Sequence, residues 1–176
     1  ARLLLERAVE QGGIVLTQAG YLKSADVWHV FDRTEWPGFD KSNTPALNKV
    51  INEQDAYGVF YTRIALEAAV LLRKRAGVLK ATRVGKSMLA GEAAPALLGE
   101  LFWAVFWKMN LQDFDRNPIE FWPQHHMGVI LWSLSVTAHE WSSAGTLTES
   151  CTVMETLLEV PAQDLPEFAT VSYTHS

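Results

Sequence analysis

The sequence predicts a mainly α protein with a small β component, and three patterns support this fold class. Apolar residues recur at helical spacing along most of the chain, most clearly over residues 95–109. A brief apolar run at residues 14–16 indicates a short strand. Residues 71–82 are typical of a β-hairpin, because two short arms flank a turn that contains Gly77.

Cap residues, prolines and apolar spacing place the helices along the chain. Thr44-Pro45 is a strong helix start, since Thr is a good N-cap and Pro suits the first helical position. Ser24 is expected to cap the start of a helix that carries Val27, Trp28, Val30 and Phe31. Helices are predicted near residues 3–9, 24–31, 44–51, 56–69, 83–89 and 95–109, and from Thr148 onward. Another helix is predicted to start at Asn117-Pro118 and to run to about Trp141, with a restart or kink at Pro123.

The charge distribution predicts two parts with different surfaces. Residues 1–90 hold 13 basic and 9 acidic residues, a balance of +4, whereas residues 91–176 hold 2 and 11, a balance of −9. We therefore expect one domain over residues 1–90 and an acidic helical domain over residues 91–176, packed against it. Gly91 and Pro95 mark the boundary. The acidic half is not expected to contact phosphates.

The order of elements in the first half predicts a winged-helix unit. A helix, a strand and three helices precede the basic hairpin, and another helix follows it. In a winged helix, two packed helices present a third, and the hairpin, or wing, follows the third directly. The second half is expected to be helical, and a degenerate second winged helix without a wing is one alternative for it.

Two short Thr-x-x-Gly segments, Thr17–Gly20 and Thr82–Gly85, each follow an apolar strand residue. There the Thr is expected to cap and the Gly to allow close packing. With the hairpin between them, residues 12–90 resemble winged-helix proteins. They are more closely similar to the C-terminal region of bacterial plasmid-ORF-like proteins of undefined function. The resemblance implies a winged-helix fold and no catalytic residues. Val70 stands where such proteins often have Gly, so a different helix end is expected here.

A cluster of basic residues around the hairpin is the candidate binding site. On a wing these side chains would gather where they could meet phosphates, which predicts weak, non-specific nucleic-acid binding. The other interpretation is a solvated hairpin on a scaffold that binds another protein. The candidate nucleic-acid-binding residues are Arg73, Lys74, Arg75, Lys80, Arg83 and Lys86, within a stretch that contains no acid.

The helix before the hairpin argues against sequence-specific recognition of DNA. Its expected outer face carries small residues, namely Gly58, Thr62, Ala65 and Ala69. Its one cation, Arg63, is expected to pair with Glu67 one helical turn away. Bases are mostly read by Arg, Lys, Asn and Gln. This helix could therefore equally be packed against the second half.

Motifs of catalysis and metal binding are not found, so we expect no enzyme, metal site or cofactor. Gly85-Lys86-Ser87 imitates the end of a phosphate-binding loop, but Lys80 stands where the first Gly is required. His139-Glu140 lacks the second His of a zinc-protease helix.

The single cysteine, Cys151, fits a reducing compartment and predicts a cytoplasmic protein. No apolar run is long enough to span a bilayer, so no membrane partner is expected.

The helix over residues 95–109 carries an apolar stripe that is too wide for an isolated exposed helix. It is expected to be central and to pack against both halves. Trp103 and Trp107 are four residues apart, so they are expected to stack on each other or on a partner. A core or interdomain position is the favoured interpretation for this pair. The residues of the stripe are Leu98, Leu101, Phe102, Val105 and Phe106.

Overall fold

The computed structural model describes residues 1–35, 50–114 and 123–151, and these are mainly helical with one small sheet. The predicted fold class is confirmed at this level. The helix expected from Thr44-Pro45 lies largely outside the described residues. The elements are α1 (Arg2–Glu10), β1 (Ile14–Val15), α2 (Ser24–Phe31), α3 (Tyr57–Ala68), β2 (Leu72–Arg75), β3 (Val78–Ala81), α4 (Arg83–Ser87), α5 (Ala94–Trp107), α6 (Met127–Thr137) and α7 (Ala144–Cys151), with 3₁₀ turns at Leu111–Phe114 and Gln124–His126.

The chain forms two compact units, Ala1–Arg116 and Asn117–Ser176. The first unit contains the sheet and helices α1 to α5. The described part of the second consists of α6 and α7, which pack on each other. The predicted domains, residues 1–90 and 91–176, stay a prediction. None of the described helices has both the length and the apolar composition that a bilayer crossing requires.

The sheet has three antiparallel strands, and β3 lies between β1 and β2. The predicted hairpin over residues 71–82 is confirmed, because β2 and β3 pair with Arg73 opposite Lys80 and Arg75 opposite Val78. Ala76 and Gly77 form the turn and both have positive φ, at 48° and 73°. Two positive φ values are typical of the tight hairpin turn whose twist matches that of the strands.

The core of the first unit lies between α1, α2 and α3 and one face of the sheet. Burial of large aliphatic side chains is the main driving force for this packing, at about 25 cal/mol for each Å² of apolar surface removed from water. Ile14 and Leu79 face each other across β1 and β3, so one sheet face joins the core. The largest fully buried apolar side chains are Leu4, Leu5, Ile14, Val27, Val30, Ile51, Val59, Leu66, Leu71, Leu72 and Leu79.

A buried ion-pair cluster links α3 to the segments that precede it. Arg63 on α3 donates hydrogen bonds to Glu53 and Glu67, and the predicted pair with Glu67 is confirmed. The Glu53 side chain is fully buried, and its second oxygen accepts a hydrogen bond of 2.6 Å from the backbone N–H of Leu22. Burial by itself lowers the pKa of Arg63, but the hydrogen bonds and charges of the two carboxylates raise it above its ordinary value. Arg63 therefore stays charged at any pH at which the fold exists.

The Thr82–Gly85 segment performs the role predicted from its sequence. The Thr82 hydroxyl accepts a hydrogen bond of 3.0 Å from the backbone N–H of Gly85 and so caps α4. It also donates to the carbonyl oxygen of Val70 at 2.9 Å. Gly85 is buried against the carbonyl oxygen of Leu71, where a side chain would not fit. The other segment differs, because the Thr17 hydroxyl accepts from the backbone N–H of Tyr21 and closes a turn instead of capping α2.

The end of α3 forms a complete Schellman motif with a valine at the position that favours glycine. The N–H of Leu71 donates to Leu66 O and the N–H of Val70 donates to Glu67 O, both at 2.9 Å. Val70 has a φ of 59°, in the left-handed region that β-branched residues avoid. The chain therefore makes the glycine-type helix end despite the valine, at a local cost in strain.

We expect Val70→Gly to raise the free energy of unfolding by about 1 kcal/mol. Relief of left-handed strain, roughly 1–3 kcal/mol, outweighs the entropy that glycine loses on folding, roughly 0.5–1 kcal/mol. Val70 is partly exposed, so little burial is lost. Urea denaturation measures the effect. The matched control is Val9→Gly, also a partly exposed valine, which lies within α1 and is expected to lose roughly 0.5 kcal/mol. Destabilisation by Val70→Gly would contradict the strain argument.

Helix α5 packs against α3, as expected for contact with the first half, but only part of the predicted stripe, Leu101 and Val105, faces α3. Leu97 and Ala104 are buried in the core, and Leu101 packs at its edge. The prediction was wrong for Leu98 and Phe102, which are 68% and 43% exposed. The reason is that apolar residues occur all around this helix, so periodicity could not indicate which side faces α3. Packing of α5 against the second half stays a prediction.

Candidate functional site

All six candidate cations are on the hairpin or on α4, and four of them are on the hairpin strands themselves. Each is exposed to solvent. Within the described residues none of them forms an ion pair, in contrast to Arg2, Arg7 and Arg63, each of which pairs with a carboxylate. In the part of the chain that the structure describes, these cations therefore carry uncompensated positive charge.

Strand alternation divides the hairpin cations between two faces. Leu72 and Leu79 are buried, so their face of the sheet is the core face. Arg73 and Arg75 point to the opposite face, and Lys80 shares it because it pairs directly with Arg73. On β1, Val15 pairs with Val78 and extends this surface by one strand. We call Val15, Arg73, Arg75, Val78 and Lys80 the outer sheet face.

Lys74 lies on the other side of the hairpin from the other strand cations. It pairs with Leu79, whose side chain is in the core. Its ammonium lies over Gly20, so close that a β-carbon on Gly20 would collide with Nζ. Lys74 is thus held beside the turn that Thr17 closes, away from Arg73 and Arg75.

Arg83 and Lys86 are on α4, beyond the end of the hairpin. Arg83 is the first residue of this helix, directly after the Thr82 cap, and Lys86 follows one turn later. Both extend the positive surface from the sheet onto the adjacent helix without belonging to the outer sheet face. The structure therefore divides the predicted cluster into a sheet-face group, a single lysine on the opposite side, and a helix pair.

The hairpin does not project from the sheet. The N–H of Leu16, directly after β1, donates to the carbonyl oxygen of Gly77 in the hairpin turn at 2.9 Å. Together with the pairing of Val15 with Val78, this bond holds the first strand alongside the hairpin as far as its tip. The hairpin tip is therefore flanked by a third strand and does not extend beyond it.

The face of α3 that was expected to be outermost is covered by α5. Ala65 and Ala69 are buried, and Thr62 is half-buried. An apolar groove of about 330 Å³ runs between the two helices, with Tyr61, Thr62 and Ala65 on one side and Leu101 and Val105 on the other. Tyr61 also contacts Phe114, with ring centroids 4.8 Å apart. This face of α3 is closed to a DNA groove.

One side of α5 is exposed, although the sequence favoured a core or interdomain position for its tryptophans. Trp103 and Trp107 stack as predicted, with ring centroids 4.8 Å apart and planes inclined by 15°. Both are about half exposed, so within this chain they do not occupy the core. Phe102 and Phe106 form an edge-to-face pair on the same helix, at 4.6 Å. A broad aromatic surface remains on this helix.

Within residues 1–35, 50–114 and 123–151, no group of three His, Cys, Asp or Glu residues is arranged to hold a metal ion. Cys151 is buried at the end of α7. The uncompensated cations and the aromatic side of α5 are two exposed features in the described part of the first unit.

Comparison with known proteins places the chain in a family. The chain is similar to "Uncharacterized protein y4jL" of Sinorhizobium fredii, with 28% identity over 117 residues, or 65% of this chain and 53% of that protein. The chain therefore spans about half the length of this relative. No solved structure matches. The family model of the Y4jL N-terminal domain matches residues 1–95, which include the sheet, the hairpin and all six cations. The chain belongs to the Y4jL N-terminal domain family.

Proposed function

We propose that this chain is a non-enzymatic winged-helix protein that binds nucleic acid weakly and without sequence preference through its basic hairpin. The observation that carries the proposal is the set of six exposed cations without a carboxylate partner among the described residues. The order of α1, β1, α2, α3, hairpin and α4 supports the winged-helix assignment.

Charge repulsion within the sheet favours an anionic ligand. Arg73 and Lys80 are direct cross-strand partners, and like charges at such positions destabilise a sheet. A phosphate between them would replace this repulsion with attraction, and release of counterions from the nucleic acid would supply the driving force. The low sequence preference follows from α3, whose face toward a groove is covered by α5 and carries no base reader.

A protein-interaction or scaffold role is the second candidate, and the aromatic surface of α5 favours it. Interface centres are enriched in Trp and Phe and depleted of charge. In this role the winged helix would be only a support, and the hairpin charges would keep the edge strand β2 from pairing with other chains.

We further propose the cytoplasm as the location, since a nucleic-acid ligand and an unpaired cysteine both fit it.

Binding to duplex DNA should weaken with salt, with the logarithm of affinity falling at about −0.9 per phosphate contacted against the logarithm of salt concentration. Replacing Arg73, Lys74 and Arg75 together with Ala should weaken binding to all sequences about equally and flatten this slope. Fluorescence anisotropy on two unrelated duplexes, across a salt series, measures both effects.

The matched control removes three exposed positive charges outside the hairpin and α4, in the variant Arg2→Ala, Arg33→Ala, Lys108→Ala. It changes the net charge by the same amount and should retain most of the affinity and slope. Equal losses in both variants would assign binding to net charge alone. If wild-type protein binds neither duplex at low salt, the scaffold role becomes the better account.

A further inference from the structure

We propose that the outer sheet face is the contact surface and that it lies flat on the phosphate backbone of a double helix, without inserting the hairpin into a groove. This inference rests on the proposed nucleic-acid binding and makes it more specific. It names the ligand class, which is the phosphate backbone of a duplex. It also distinguishes Arg73, Arg75 and Lys80, which would contact this backbone, from Lys74, which would not.

The third strand excludes insertion of the hairpin tip. The hydrogen bond from Leu16 to Gly77 keeps the first strand beside the hairpin up to its turn. Three strands span about 10 Å from the first backbone to the third. The minor groove of B-DNA is roughly 6 Å wide, and the major groove admits a two-stranded ribbon. A tip as wide as this sheet is therefore too wide to enter a groove, and it contacts the backbones of the two DNA strands from outside.

The chemistry of the face fits phosphates, and its flat shape keeps the cations outside the grooves where the base edges lie. Its two guanidinium groups, on Arg73 and Arg75, suit the bidentate recognition of phosphate oxygens. Val78 lies beside Arg75 and Val15 lies beside Val78, and neither valine offers a donor or acceptor to a base edge. The face thus presents its positive charge to the backbone and carries no Asn or Gln that would read a base edge.

Single-stranded nucleic acid is a poorer ligand for the same face. Sheets that bind single strands stack the bases on exposed aromatic side chains, at roughly 1–3 kcal/mol for each base. The outer sheet face consists of two valines, two arginines and a lysine, so it has no aromatic side chain on which bases would stack. Backbone charge is then the main attraction, and a duplex presents it at higher density.

Lys74 provides the internal comparison, because it is one residue from Arg73 and Arg75 but on the opposite side of the hairpin. Its ammonium lies over Gly20, against the turn closed by Thr17. A rigid duplex on the outer sheet face cannot reach this side at the same time. A hairpin inserted into a groove would contact phosphates with both sides, and Lys74 would then matter as much as its neighbours.

The test compares single variants of the full chain on one duplex and on one of its separated strands, by fluorescence anisotropy at about 0.1 M salt. Arg73→Ala, Arg75→Ala and Lys80→Ala should each lower duplex affinity about five- to tenfold and reduce the salt slope by about 0.9. Lys74→Ala should change the affinity less than twofold. The duplex should bind more tightly than the single strand.

A second variant tests the face without removing a cation. Val15→Glu places a negative charge on the outer sheet face and should abolish duplex binding. Val9→Glu, at a partly exposed valine of α1, should leave binding unchanged. Circular dichroism and thermal melting confirm that each variant is folded. Unchanged duplex affinity in a folded Val15→Glu protein would overturn the proposal.

The remaining outcomes separate the two proposals. An effect of Lys74→Ala equal to that of Arg73→Ala would replace flat contact with groove insertion. Equal or tighter binding of the single strand would overturn the duplex assignment, while the proposed nucleic-acid binding would survive. Absence of binding by wild-type protein to either probe would remove the proposed function, and this inference with it.

Discussion

Replacing Arg63 with alanine should lower the free energy of unfolding by about 3–5 kcal/mol, because it leaves a buried carboxylate without its cation. The Glu53 side chain is fully buried, and its described partners are Arg63 and the N–H of Leu22. Losing one partner of a buried pair costs far more than the pair itself contributes. Domains of ordinary stability have about 5–15 kcal/mol in total, so this variant should be close to unfolding.

Urea denaturation of the purified chain, followed by circular dichroism, measures the loss. The matched control is Arg2→Ala, which removes an arginine from the exposed ion pair with Glu6. An exposed pair of this kind contributes at most about 1 kcal/mol. A loss of stability in Arg63→Ala no greater than in Arg2→Ala would show that Glu53 is not buried as described.

The double variant Glu53→Leu, Arg63→Met separates the effect of burying charge from the effect of filling the same space in the core. Replacing both charges with apolar groups of similar size is often neutral for stability. We expect it to recover much of the stability lost in Arg63→Ala. The recovery will be incomplete, because the N–H of Leu22 and the carboxylate of Glu67 each lose a partner.

The local elements of the first unit could be predicted from the sequence because their signals are local. The hairpin depends on a tight turn at Ala76-Gly77 between two short arms, and all of these residues are adjacent in the chain. The cap of α4 depends on Thr82 and Gly85, three residues apart. Helix α3 was predicted within one residue at each end, because its apolar residues recur at helical spacing.

Contacts between distant segments could not be predicted in the same way. Glu53 looks like any surface glutamate, and its burial follows from the approach of Leu22, which is 31 residues earlier in the chain. The sequence of α5 clearly predicted a helix but did not indicate which side of it faces the core, since the helix is apolar on all sides. Its contact with α3 therefore buries Leu97 and Ala104 and leaves Leu98 exposed.

The candidate site shows the same division between local and distant information. The six cations could be predicted as a cluster, because they occur within a short stretch without acids. The separation of Lys74 from Arg73 follows from strand alternation once the turn fixes the register. The flanking strand at the hairpin tip could not be predicted, since Leu16 and Gly77 are far apart in the chain.

Replacing Gly85 with alanine should cost about 3 kcal/mol, at the upper end of the usual range for overpacking. The new β-carbon would overlap the carbonyl oxygen of Leu71 and press against the side chain of Leu5. This carbonyl cannot move freely, because it accepts a hydrogen bond of 3.0 Å from the N–H of Thr82. The alanine would therefore push α4 away from the sheet or break the bond that joins the hairpin to the end of α3.

The matched control is Gly91→Ala, since a β-carbon on Gly91 meets no atom within 4 Å and Gly91 does not have a positive φ. It should change stability by less than about 0.5 kcal/mol or raise it slightly, because alanine restricts the unfolded chain. Thermal melting of both variants beside the wild type measures the difference. Arg83 and Lys86 lie on α4, the helix that Gly85→Ala displaces, so this variant should also lose duplex affinity in the anisotropy assay. A melting temperature for Gly85→Ala equal to that of Gly91→Ala would contradict the close contact between α4 and Leu71.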